Sequence, residues 1–125
     1  MKFSVNQQDL QQALGYCQGV IEKRSTLPIL SNVLLNVSNK KLTITATDLD
    51  LIFIHQINNI EVSAEGKTTT TSSIMHDIVR KFTSGKKINL SLTETSKLQL
   101  ESEKSIFIGT LLAKKFTKTF KTQVV

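Results

Sequence analysis

One short apolar phrase occurs twice in this chain. Lys41-Leu42-Thr43-Ile44 recurs as Lys97-Leu98-Gln99-Leu100, and Ile52-Phe53-Ile54 recurs as Ile106-Phe107-Ile108. The two offsets are 56 and 54, so the second copy has the shorter turn between its matching segments. An internal repeat limits the fold strongly, because each copy must bury the same face in the same way. The order of elements around the phrases agrees in both halves. In the first, Phe3-Ser4-Val5 alternates as a strand and Asn6 can cap a helix, with Asp9 near the positive helix end. Leu10, Leu14, Cys17 and Ile21 form one apolar helical stripe with glutamines opposite, and Gly19 is positioned to begin the helix end. Pro28 stops any continuation. Strand-like segments follow at 29–37, 41–45 and 48–62, with Asn39-Lys40 and Thr47-Asp48 as turns. In the second half, Thr68–Thr71 reads as a strand, and Ser72 or Ser73 caps a helix. That helix carries Ile74, Ile78 and Phe82 on its apolar face, with Met75 and Val79 alongside, and Ser84-Gly85 ends it. Ile88–Leu92, Leu98–Glu101 and Ile106–Ile108 complete the copy. The expectation is an α+β chain of two β-α-β-β-β repeats, about 1–64 and 65–112, with two helices side by side on antiparallel sheet. Each sheet then has an edge that must be paired, covered or charged.

The chain has 125 residues, enough to bury a core without disulfides, and its single Cys17 excludes an intramolecular one. Cys17 lies among Leu14, Tyr16 and Val20 and reads as a small buried apolar residue. The N-terminal MKFSVNQQD has no apolar core of a secretory signal, and the longest apolar run, Leu51–Ile54, is far too short to span a bilayer. These features favour a cytoplasmic protein with no membrane partner.

Catalytic patterns are sparse. No His or Cys pair has metal-ligand spacing, and there is no glycine-rich phosphate loop or nucleophile elbow, so neither metal nor cofactor is expected. Asp48 and Asp50 are paired carboxylates at a turn, and without further converging acids they read as turn solvation. Binding is the better reading. The net charge is +6, but Lys114, Lys115, Lys118 and Lys121 supply four of those charges, and residues 1–112 balance 12 basic against 10 acidic side chains. Lys23 and Arg24 follow the first helix; Arg80, Lys81, Lys86 and Lys87 lie on or after the second. If both helices face one way, these make a single positive face suited to sequence-independent phosphate contact. No aromatic residue is interleaved with them, which argues against stacking on single strands.

Longer segments carry a family resemblance. Met1-Lys2-Phe3-Ser4-Val5 resembles the start of bacterial replicative sliding-clamp chains. Arg24-Ser25-Thr26-Leu27-Pro28-Ile29-Leu30-Ser31-Asn32-Val33-Leu34-Leu35 is similar to that family's R-x-T-L-P-I-L-x-N-(V/L)-L-L segment, and Leu42–Asp50 to its L-x-(I/L)-x-(A/G)-T-D-L-(E/D) segment. Glu65-Gly66-Lys67-Thr68-Thr69 and Asp77-Ile78-Val79-Arg80 match in the second half. The resemblance runs from residue 1 to about 110 and implies the first domain of a DNA clamp. It implies the DNA-clamp fold, with a helix pair facing a channel, three such domains per chain and two chains per ring. The ring holds the replicative polymerase on duplex DNA by topology, without catalysis. It further implies that Arg24, with Lys23 beside it, contacts DNA, that Arg80, with Lys81 next to it, lines the channel, and that other clamp domains are partners. Phe107 and Ile108 are the candidate interface between domains. The family's pocket for polymerase and clamp-loader peptides belongs to later domains and is expected to be absent.

Several positions depart from the family. Prolines are replaced in Thr69-Thr70-Thr71-Ser72, in Thr110-Leu111-Leu112-Ala113 and in Phe116-Thr117. Ser73 and Ile74 stand where two basic residues open the second helix, and residues 113–125 form a divergent basic tail. These departures lead to the expectation of a shortened or split copy of a clamp gene. Two other readings stand beside it: an α+β interaction module that pairs by its sheet edges without encircling DNA, and a nuclease using Asp48 and Asp50.

Overall fold

A computed structural model describes residues 1–21, 32–47, 52–93, 97–102 and 108–114. Strand β1 (Lys2–Asn6) leads directly into helix α1 (Gln7–Ile21). The junction follows from Asn6, whose side-chain oxygen accepts from the backbone N–H of Gln8 at 2.9 Å and of Asp9 at 3.4 Å. It thereby satisfies donors that the first helical turn leaves open. Leu10, Ala13, Leu14 and Cys17 are buried completely, as the stripe requires. Gly19 does not end the helix, which continues to Ile21. Glycine lowers helix propensity by about 1 kcal/mol, and packing against the sheet overrides a cost of that size.

Strands β2 (Asn32–Ser38) and β3 (Lys41–Thr47) form a hairpin about Asn39-Lys40. Both turn residues have positive φ, 52° and 61°, the backbone shape whose twist matches the flanking strands. The segment read as one strand over 48–62 divides into β4 (Ile52–Ile57) and β5 (Glu61–Ala64). Asn59 at φ 58° breaks it, and the N–H of Ile60 donates to the Lys40 carbonyl at 3.1 Å. This short β5 was not expected from sequence.

The second half repeats the order: β6 (Gly66–Thr71), α2 (Ser72–Arg80), β7 (Lys87–Leu92), β8 (Lys97–Ser102) and β9 (Ile108–Lys114). Three details differ from the sequence reading. The residue that caps α2 is Thr71, not Ser72 or Ser73, and it makes no side-chain bond to the helix. Its hydroxyl donates instead to Asn32 at 3.4 Å. The buried face of α2 is Ser72, Met75 and Val79, while Ile74 is half exposed and Ile78 lies at the margin. The helix ends at Arg80 rather than at Ser84-Gly85; Gly85 serves the following turn with φ +84°.

All strand pairs are antiparallel, in the order β4-β3-β2-β6-β9-β8-β7-β1-β5. The halves exchange their first strands: β1 pairs with β7 of the second half, and β6 with β2 of the first. Strand β9 joins the two sheets, meeting β8 along five residues and β6 through Ala113 and Lys114. The recurring phrases occupy matching places. Leu42 in β3 faces Ile57 in β4, and Leu98 in β8 faces Leu111 in β9. Leu42, Ile44, Leu98 and Leu100 are fully buried.

The helices lie together and close one core with the sheet residues Phe3, Val5, Val33, Leu35, Ile88 and Leu90. Burying a side chain of this kind contributes about 1.5–3 kcal/mol. The helix pair therefore sits on the sheet by its apolar stripes and presents its remaining surface outward.

Candidate nucleic-acid interface

Gln7 fastens the two helices to each other. Its side-chain Nε2 donates to the Val79 carbonyl of α2 at 2.9 Å and to Gln11 Oε1 at 2.8 Å. Gln7 is buried, so these bonds form where water does not compete well. Further along, His76 of α2 lies against Gly15 of α1: a Cβ on Gly15 would stand 3.8 Å from His76 Nε2. The amino end of α1 is thus beside the carboxyl end of α2, and the helices run antiparallel. Between them is a groove of about 440 Å³ lined by Gln8, Gln11, Gln12, Gly15, His76 and Ser84.

The basic candidates distribute unevenly about this groove. Arg80 is exposed at the end of α2, and its guanidinium donates to Asp77 at 2.9 Å. A phosphate that recruits Arg80 competes with that carboxylate. Lys81 is exposed at the helix C-cap, where its cation complements the negative helix end. Lys86 is exposed in the next turn, and Lys87 is ion-paired with Glu61 of β5. The expected positive face is therefore confined to the carboxyl end of α2 among the described residues. Helix α1 has Asp9 as its one charged residue and no Lys or Arg. Lys23, Arg24 and Phe107 lie outside the described residues, as do Asp48 and Asp50; Ile108 opens β9 opposite Glu101.

Sequence reasoning assigned the α1 glutamines only to a polar face and missed their part in the groove. The available signal was five glutamines in fifteen residues without a single basic side chain. It also missed an aromatic cluster beside α1, where the Tyr16 and Phe53 rings meet edge to face at 6.1 Å and Phe53 stacks on His55 at 6.3 Å. Cys17 is sealed in the core, and burial pushes its thiol up to about 12, far from the range of a nucleophile. Among the described residues no group of three or more His, Cys, Asp or Glu side chains can hold a metal ion. No helix among them is long and apolar enough to cross a membrane.

Comparison with known proteins gives a consistent answer. The Beta sliding clamp of Caulobacter vibrioides is 34% identical over 108 residues, covering 86% of this chain and 29% of that protein. The Beta sliding clamp of Escherichia coli K12 is 33% identical over 117 residues, covering 93% and 32%. Among solved structures, the Caulobacter crescentus pol III beta superposes with a TM-score of 0.80 at 31% identity over 95% of this chain and 30% of that one. A sliding clamp from Bartonella birtlesii gives 0.82 at 32% identity over 92% and 30%. The chain spans about a third of the length of the relatives it matches. Residues 1–119 match the family described as DNA polymerase III beta subunit, N-terminal domain, and the chain belongs to that family.

Proposed function

We propose that this chain acts as a sliding-clamp domain, contributing to a ring around duplex DNA that keeps a replicative polymerase on its template. The observation that carries the reading is the match of residues 1–119, together with the α1–α2 pair on antiparallel sheet. The role is topological and non-catalytic, and the partners are duplex DNA and other clamp domains. Lys23, Arg24, Arg80 and Lys81 are proposed to meet phosphates, and Phe107 and Ile108 to form part of a domain–domain interface. The domain proper is taken to run to Lys114, the end of β9, two residues past the boundary at 112 expected from sequence, with the residues after it as a basic tail. The phosphate contacts are loose and sequence-independent, as sliding requires.

Retention on circular DNA tests the reading. The chain, alone or with the remaining domains of a relative's clamp, is incubated with a nicked circular duplex and separated by size in high salt. A ring stays on the circle and is lost when the circle is linearised. Equal elution from circular and linear DNA, in a sample whose sedimentation shows assembled domains, overturns it.

A second reading has its own observation. Strand β4 ends the sheet order and exposes Ile52 at 45% and Ile54 at 55%. Such an edge can add a strand from another protein. A module of that kind oligomerises with no dependence on DNA, and Ile54→Lys abolishes its assembly.

A further inference from the structure

A positive face on the helix pair is the expectation for phosphate contact. In this chain the helix pair lacks one. Helix α1 contributes one negative charge through Asp9, and in α2 the charge of Arg80 is matched by Asp77 at 2.9 Å. The surface is nonetheless rich in donors. Gln11 receives the Gln7 amide on its Oε1, which leaves its own Nε2 available on the opposite branch of the carboxamide. Gln8 is exposed at the groove's edge, and Ser84 lines the same groove from beyond α2. Gln12 donates to the Tyr16 hydroxyl at 3.1 Å and keeps a second N–H. The Gln7 bridge fixes the spacing of the two walls, so the donors are held in place before any ligand arrives.

We propose that the groove between α1 and α2 is an uncharged seat for the sugar–phosphate backbone of duplex DNA, with Gln8, Gln11 and Ser84 donating to phosphate oxygens. The proposal rests on the clamp reading and specifies how that surface makes contact. Amide and hydroxyl groups are established phosphate partners in protein–DNA interfaces. They differ from Lys and Arg in one measurable way. Counterions leave DNA when a cation neutralises a phosphate, which makes binding depend on salt, whereas a neutral donor strengthens binding without that dependence. The groove therefore supplies a salt-insensitive part of the affinity, and Lys81 with Lys86 supplies a salt-sensitive part at its rim.

The test is fluorescence anisotropy with a labelled linear duplex of random sequence, titrated with the full chain over a range of salt at one pH. Gln8→Ala with Gln11→Ala is expected to weaken binding about tenfold at every salt concentration, from the loss of two hydrogen bonds, with the slope of affinity against salt unchanged. Lys81→Ala is expected to flatten the slope by about 0.9, and Gln8→Lys to steepen it by about 0.9. Gln8→Ala alone, at an exposed position, guards against misfolding of the double variant, which circular dichroism monitors. If the glutamine variants bind as the wild type does while Lys81→Ala weakens binding, the groove is not a seat and the clamp reading survives. If the wild type binds no duplex at the lowest salt and Gln8→Lys does not restore binding, the groove is not a seat, and the clamp reading stands or falls by retention on the circular duplex.

Discussion

The two halves of the chain begin with the same order of elements and finish with different duties. In the first, α1 is fifteen residues long, capped by Asn6 and seated by four completely buried side chains. In the second, α2 has nine residues, lacks a side-chain cap and leaves Ile74 half exposed. The fourth strands diverge as well. Strand β9 knits the two sheets together, whereas its counterpart β4 stands at an edge and β1 takes β5 as its outer neighbour. Duplicated elements preserve a core pattern, and the position of each copy in the sheet decides which faces are covered. The first half carries most of the helix–sheet packing, and the second supplies the strand that joins the sheets.

That contrast can be broken experimentally, beginning with the largest effect. Cys17 reports on α1 alone, since the chain has no other thiol. Its modification by a thiol reagent is expected to be slower by orders of magnitude in the native chain than in urea. Rapid native labelling would mean that α1 opens readily and that the first half is not the firm one. The same thiol gives a signed pH effect. Its ordinary value of 9.0 rises to about 12 on folding, so the unfolded chain releases the proton first. The associated stability is intact below pH 9 and declines as pH rises from 9 towards 12, and Cys17→Ala removes that part of the decline.

Next in size, Leu14→Ala leaves a cavity at a fully buried site and is expected to cost about 2–5 kcal/mol in urea denaturation. Two changes at the helix starts then act in opposite directions. Asn6→Ala should destabilise by about 1 kcal/mol through the lost N-cap. Ser72→Ala should stabilise by about 1 kcal/mol, because the buried Ser72 hydroxyl has no hydrogen-bond partner among the described residues. The smallest effect is expected at the exposed Ile74, where replacement by Ala changes stability by less than about 0.5 kcal/mol. A loss at Ile74 comparable to that at Leu14 would erase the asymmetry between the helices.

Much of this architecture was legible because it is local. The stripe through Leu10, Leu14 and Cys17, the Asn6 cap and the Asn39-Lys40 turn each depend on residues a few positions apart. The face of α2 was not legible in the same way. Ile74 with Ile78 and Met75 with Val79 make two adjacent apolar stripes on a short helix, and only the sheet beneath selects the second. Short β5 was hidden because the turn at Asn59 depends on the Lys40 carbonyl. At the candidate interface, the pairing of Arg80 with Asp77 was there to be read in their i,i+3 spacing on one helix, whereas the Gln7 bridge to Val79 was not, since it is a property of packed helices.

The exchange of first strands has a consequence for synthesis. Phe3 of β1 is paired with Leu90 of β7, so the opening strand waits for the whole of the first repeat and for β6, α2 and β7 of the second before it can join its principal neighbour. Long-range pairing of this kind slows folding, because a large loop must close before the contact rewards it. On a ribosome the first repeat would emerge complete in sequence with only β5, the outer neighbour, available to β1. Each repeat places its first strand beside strands of the other, so the duplication visible in the sequence is interlocked in the folded chain.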